Sequence, residues 1–218
     1  MRQSRSSGTS NAQRKLGAAR PEIVFDPDRH EYRVDGRLVP HVTGVLAAVG
    51  VTADFSGMAN MEFRRALGRA LHADSHAMDE NDLHIGSVDE RVRPYLDAWL
   101  QCRESKQLVP LVRERKVYHL SQRYAGTLDG IFRHKKRRVL IDITIGNPED
   151  SAKHLQLSAY CAAWEDEHPD EPIDERWAVR LVPGRRVPFR ITNYTAADRY
   201  ERHLDLPTWL ACLTVYRA

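Results

Sequence analysis

Residues 124–145 read Tyr-Ala-Gly-Thr-Leu-Asp-Gly-Ile-Phe-Arg-His-Lys-Lys-Arg-Arg-Val-Leu-Ile-Asp-Ile-Thr-Ile, two strand-like runs, 124–132 and 139–145, joined by a basic segment. If the runs form an antiparallel hairpin with an even loop centred on Lys135 and Lys136, Asp129 falls directly opposite Asp142. Opposed strand residues have Cβ atoms about 4.5 to 5.5 Å apart, a separation at which like charges repel unless something positive lies between them. Hard divalent cations take oxygen ligands and need only one or two carboxylates plus waters and a phosphate. The pairing therefore points to a metal site for phosphate-ester chemistry. The plainer alternative is that Asp142 is a solvent-facing acid of a half-buried strand.

Side chains alternate faces along a strand. Val139, Ile141, Ile143 and Ile145 then share the core face, while Leu140, Asp142 and Thr144 share the other, so Thr144 projects beside Asp142.

At 218 residues the chain suits one domain around one core, with or without a tail. A net charge of +3, from 33 Lys and Arg against 30 Asp and Glu, is too mild to argue for nucleic acid by itself. Cys102, Cys161 and Cys212 are far apart and offer neither a CxxC metal pair nor an even disulfide framework, which fits a reduced compartment. Residues 1–20 carry Arg2, Arg5, Arg14, Lys15 and Arg20 without an acid and have the composition of a disordered basic tail, leaving 21–218 as the domain. There is no signal-like apolar region, no apolar run able to span a bilayer and no internal repeat, so the expectation is a soluble cytoplasmic protein.

Residues 22–39 alternate like a hairpin around Asp26-Pro27-Asp28 and Asp35-Gly36. A Thr43 cap is expected to start a short helix ending at Gly50. Helical spacing follows over about 58–79 and 88–105, the latter with Val92, Tyr95, Leu96 and Trp99 on one face. The period then switches to two: a strand over 108–119 carrying Glu114, then the two acidic strands. Residues 147–151 form a loop ending in a helix cap and 152–167 a helix. Strands over 176–181 and 187–192 flank Pro183-Gly184, and 196–216 is a last helix. That order predicts an α/β domain with a mixed central sheet flanked by helices.

On the helix after the second acidic strand, Lys153, Gln156 and Tyr160 are three and four residues apart and lie on one stripe that can overlook the carboxylates. The alternative is a partly exposed amphipathic helix with Leu155, Ala159 and Ala162 inward. His72 follows Leu67-Gly68-Arg69-Ala70-Leu71, where Gly68 admits close backbone approach. Its imidazole would complete a mixed carboxylate and nitrogen site suited to Mn²⁺ or Mg²⁺. A His72/His76 zinc pair is the competing reading, without an HExxH glutamate or a nearby cysteine to support it.

The ordered set His72, Glu114, Gly-Thr-Leu-Asp129-Gly, Ile-Asp142-Ile-Thr144 and Gln156-Leu-Ser-Ala-Tyr160 resembles the RecB-type, phage exonuclease-like branch of the PD-(D/E)xK nuclease superfamily. The opening stretch, from His30-Glu-Tyr to Val39-Pro40-His41-Val42-Thr43, is similar to the start of those proteins, so the resemblance covers nearly all of the chain after residue 21. It implies a restriction-endonuclease-like core with His72, Asp129, Asp142 and the Ile143 carbonyl as ligands of Mg²⁺ or Mn²⁺. Glu114 is then an accessory acid, and Gln156 and Tyr160 orient water or hold the substrate phosphate.

The implied reaction is hydrolysis of DNA phosphodiesters, as an exonuclease in phage or bacterial recombination and repair, with a recombination or single-strand-annealing protein as partner. One departure stands out: the family pattern has a lysine two residues after the second acid, where this chain has Thr144. Losing one such electrostatic contact costs on the order of 10² to 10³ in rate. Either Lys153 substitutes, or the chain is a DNA-binding protein with a decayed site. A third class is a structural partner that uses the fold only for docking. The basic cluster Arg133, Lys135, Lys136, Arg137 and Arg138 is expected at a hairpin tip close to the carboxylates, where it would attract phosphates without reading sequence. Arg176, Arg180, Arg185, Arg186 and Arg190 would extend that positive surface.

Overall fold

A computed structural model describes residues 20–52, 61–145, 152–195 and 202–218. The expected tail at 1–19, the 147–151 loop and the starts of the helices expected from 58 and 196 lie outside the described residues.

Three short strands, β1 (Ile23–Asp26), β2 (Glu31–Val34) and β3 (Arg37–Val39), form a small antiparallel sheet, so the opening segment is a three-stranded meander. Helix α1 (Val42–Ala48) follows, then α2 (Met61–Asp79) and α3 (Arg93–Lys106). The main sheet is built from β4 (Val109–His119), β5 (Tyr124–His134), β6 (Arg137–Thr144), β7 (Glu175–Leu181) and β8 (Phe189–Asn193), in spatial order β4-β5-β6-β7-β8. Helix α4 (Lys153–Glu167) connects β6 to β7, and α5 (Arg202–Arg217) ends the chain. The neighbours β6 and β7 are parallel and every other pair in the sheet is antiparallel, so this is a mixed α/β fold with helices on the sheet.

The parallel pair overturns the expectation of one core. A parallel connection needs a crossover helix, and sheets so connected are covered on both faces. Leu128, Ile131, Leu140 and Ala178 pack beneath α1, α4 and α5. Phe132, Val139, Ile141, Ile143, Trp177 and Val179 pack beneath α2 and α3. The face of β6 carrying Leu140 is therefore a second core, and Asp142 is only 4% exposed. Each fully buried aliphatic side chain in these layers stabilises the fold by about 1.5 to 3 kcal/mol. Helix α4 buries Leu155, Leu157, Ala159, Tyr160, Ala163 and Trp164, so it is sunk into the molecule rather than amphipathic on its surface.

Two local details differ from the expectations and help to position the site. The N-cap of α1 is His41, whose Nδ1 accepts the Gly44 N–H at 3.1 Å, in place of Thr43. The residue before it, Pro40, accepts the Ala125 N–H at 2.9 Å, and His41 bridges Ala125, which ties the small sheet to the start of β5. Helix α3 starts at Arg93 rather than near 88, because 85–87 form a 3-10 turn and Pro94 stands in the first helical turn.

Candidate active site

The hairpin register is the one that the even loop requires: Ile131 pairs with Leu140, Arg133 with Arg138 and His134 with Arg137 around Lys135-Lys136. The ladder runs as far as Gly130 and Ile141. One step further the main-chain pairing gives way, and the Ile143 N–H is bonded by the Asp129 carboxylate, Oδ2, at 2.7 Å. The N–H and C=O of one strand residue point to the same side. The Ile143 carbonyl therefore also faces the Asp129 side.

A cavity of about 700 Å³ opens at this end of the sheet, and Asp129, Asp142, Thr144, His72, Glu114, Lys153, Gln156 and Tyr160 all line it. Five separate elements bring these side chains together. Helix α2 supplies His72, whose Nδ1 lies 3.5 Å from Glu114 Oε1 and 3.6 Å from Asp129 Oδ2. The Glu114 contact lacks hydrogen-bond geometry, and the Asp129 contact is too long for one. His72 Nδ1 and Glu114 Oε1 are buried atoms without a hydrogen-bond partner among the described residues.

One ligand atom from each of His72, Glu114 and Asp129 lies within 4.8 Å of the others. Two oxygens on opposite sides of an ion with bonds of about 2.1 Å stand about 4.2 Å apart, so the spacing and the donor set fit a small divalent cation. The charge balance fits as well. The Asp129 carboxylate, helped by Glu114 and Asp142 against the cost of burial, raises the His72 pKa to about 9. In the metal-free protein a proton on that imidazole supplies the positive charge the carboxylates demand. His76 lies 3.7 Å from Glu80 and is not among the clustered donors of the described residues, which are His72, Glu114 and Asp129.

Glu114 owes its position to the backbone. It has φ +44°, a left-handed conformation inside a strand that is uncommon for a residue with a side chain. The neighbouring pairs Arg113–Gly130 and Arg115–Leu128 keep their register on either side, which sets Glu114 across from Asp129. An acid expected only as an accessory group thus stands among the three clustered ligand atoms, whereas Asp142 does not.

Asp142 is engaged with α4. The Lys153 ammonium lies 2.8 Å from each of its carboxylate oxygens and donates to Gln156 Oε1 at 3.1 Å. Gln156 Nε2 donates to Asp142 Oδ1 at 3.2 Å and to the Tyr160 hydroxyl at 3.5 Å. Burial pushes the Asp142 pKa up, and the Lys153 charge pulls it back. An ammonium therefore stands against the buried Asp142 carboxylate, delivered by a helix. Burial also holds the Tyr160 hydroxyl well above its ordinary range, so it stays protonated.

The Gly-Thr-Leu-Asp-Gly motif has a steric reading. A Cβ on Gly126 would stand 2.4 Å from Tyr160 Cε1, and one on Gly130 would stand 2.6 Å from Arg113 Nη1. The first glycine admits the tyrosine ring and the second admits a guanidinium that sequence reasoning missed. Arg113 donates to the Asp129 carbonyl at 2.6 Å and to Ser75 Oγ at 3.0 Å, and its Nε lies 2.7 Å from Asp79. It thereby locks the strand of Asp129 to the helix of His72. Its only advance signal was adjacency to Glu114.

The basic turn is misplaced by the sequence reading. At about 3.3 Å per residue, Lys135 lies about 20 Å along β5 from Asp129, and none of the basic turn residues lines the cavity. Arg137 is paired with Glu175, and Arg138 lies 3.7 Å from Glu171. Arg176 is also not a surface cation: it is 1% exposed and paired with Asp205 at 2.6 Å.

No protein-family model matches the chain, and no curated protein matches it. Among solved structures the chain is similar to one described as "Putative exonuclease" from Eubacterium rectale, with a TM-score of 0.44 and 10% identity over 83% of this chain and 77% of that one. Among the described residues no helix is long and apolar enough to cross a membrane.

Proposed function

We propose that the chain is a divalent-metal-dependent nuclease that hydrolyses DNA phosphodiesters. The observation that carries this reading is the Lys153 ammonium at 2.8 Å from Asp142, beside the clustered donors of His72, Glu114 and Asp129. A bound Mg²⁺ or Mn²⁺ would lower the pKa of a water and offset charge on the phosphate oxygens. His72, Glu114 and Asp129 would hold the ion, with the Ile143 carbonyl facing the same side. Asp142 stands between the two halves of the site: its charge bears on His72 and its oxygens hold Lys153.

An ammonium has three donors. Lys153 donates hydrogen bonds to Asp142 Oδ1 and Gln156 Oε1, with Asp142 Oδ2 in ionic contact only, and the third donor would serve the phosphate or the attacking water. Gln156 and Tyr160 fix the direction of that donor. Thr144, which lines the same cavity, offers a hydroxyl but no charge. The resemblance described above supports exonucleolytic digestion of linear DNA in recombination or repair, alongside a recombination or single-strand-annealing partner. The decayed-site alternative rests on Thr144 alone, and the Lys153–Asp142 pair argues against it.

The test is incubation of purified protein with linear single- and double-stranded DNA in Mn²⁺, Mg²⁺ or EDTA. Degradation that needs the metal and is lost in Asp142→Asn supports the proposal. DNA left intact in both metals removes catalysis from it.

A further inference from the structure

We infer that the arginines at the β7–β8 end of the sheet form the track along which the DNA strand adjoining the site is held. The inference rests on the nuclease reading for the identity of the polyanion.

The register supplies the first argument. Thr144 pairs with Arg180 across the parallel β6–β7 ladder, and Arg180 pairs with Arg190 across β7–β8. Neighbouring strands lie about 4.8 Å apart, so these residues form a row leading away from the strand end that carries Asp142. Like charges directly opposed on adjacent strands are destabilising, and an anion is what relieves two facing arginines.

Several other arginines of the domain are met by its own acids. Arg103 and Arg113 lie on Asp79, Arg137 on Glu175 and Arg176 on Asp205. Among the described residues Arg180, Arg185, Arg190 and Arg64, like several exposed arginines such as Arg133, enter no ion pair; what sets Arg180 apart is that its Nε is buried without a hydrogen-bond partner.

Shape supplies the second argument. Arg180, Arg185 and Arg190 line one hollow of about 420 Å³. Arg180 also lines a second, of about 620 Å³, together with Arg64, Phe63, Tyr95 and Ile145, and Ile145 in turn lines the cavity of the candidate site. The three concavities thus share wall residues in sequence. Among the described residues no acid lines the two outer ones, whereas three carboxylates line the inner one. Phe63 is 45% exposed beside Arg64, and interleaved aromatic and cationic side chains hold a strand by stacking and backbone attraction without reading sequence.

The experiment is fluorescence anisotropy of labelled single-stranded and duplex oligonucleotides binding the full chain in EDTA, across a salt series. Each phosphate contact contributes about 0.7 to the slope of log affinity against log salt for single strands. Replacing Arg180, Arg185 and Arg190 together by Gln should lower the slope by about 2, and replacing all three by Lys should keep it. Removing three charges from the distant turn, in Arg133→Gln with Lys135→Gln and Lys136→Gln, should leave it unchanged. The track is overturned if the glutamine variant keeps the wild-type slope, if the turn variant loses as much, or if wild type binds no DNA at low salt. Binding in EDTA needs no turnover. A chain that binds through these arginines yet never cuts DNA keeps the track and loses the nuclease, while cutting with an unaltered slope does the reverse.

Discussion

Replacing Lys153 by Met keeps the length of the stem and removes the ammonium that touches both Asp142 oxygens at 2.8 Å. One preorganised electrostatic contact of this kind is worth about 10² to 10³ in rate, or about 2.7 to 4 kcal/mol, so DNA degradation in Mn²⁺ should fall by that factor. A second effect follows from burial. Asp142 already has a raised pKa, and Lys153 is the largest influence holding it down. Without that charge the carboxylate ionises later, and the acidic limb of the pH–rate profile should move to higher pH. The assay is single-turnover digestion of an end-labelled linear duplex from pH 5 to 9. Adding Thr144→Lys to Lys153→Met returns an ammonium two residues after Asp142 and should recover part of the loss. Lys153→Met digesting within about threefold of wild type, while Asp142→Asn is dead, would refute the assignment of Lys153.

Binding of Mn²⁺ near pH 7.5 should release about one proton, because His72 with a pKa of about 9 is protonated there and a metal needs the neutral ring; calorimetry in two buffers of different ionisation enthalpy measures it, and His72→Ala should abolish the release. The same raised pKa stabilises the metal-free fold fully below about pH 6.5, a contribution lost as pH rises through 9, so the melting temperature in EDTA should fall across that window and His72→Gln should flatten the fall. His41 runs the opposite way: burial lowers its pKa to about 4, so stability present above pH 6.5 is lost as pH falls toward 4, and His41→Asn, which retains a capping acceptor, should remove that step. Gly126→Ala drives a methyl against the Tyr160 ring, and this overpacking should cost about 1 to 3 kcal/mol in thermal unfolding and reduce cleavage.

The hairpin was legible because two constraints coincide in it: a two-residue turn and period-two alternation leave few registers, and Ile131 opposite Leu140 satisfies both. The stripe Lys153, Gln156, Tyr160 was legible for the same kind of reason, since helical spacing alone puts the three on one face. Alternation along β6 could not disclose its parallel neighbour, and without β7 the second core over Leu140 is invisible. Glu114 was seen as an acid on a strand, but its place among the ligand atoms depends on a φ of +44° that no residue pattern announces. The cap at His41 was hidden because imidazole is an unusual capping acceptor and Thr43 a common one. The distance of the basic turn from the carboxylates, by contrast, was implicit in the hairpin: a register that opposes Asp129 and Asp142 puts Lys135 six residues away. Arg176 shows the limit of local reading, because its partner Asp205 is 29 residues further along the chain.

The proposed nuclease needs one cation shared by an imidazole from α2 and carboxylates from β4 and β5. Diffraction from crystals grown in Mn²⁺, recorded at the manganese absorption edge, tests it most directly. The expected result is an anomalous peak bonded to His72 Nδ1 and to carboxylate oxygens of Glu114 and Asp129, beside the Lys153–Asp142 pair. A cavity without such a peak under saturating Mn²⁺, or an ion bound only by other residues, would contradict it.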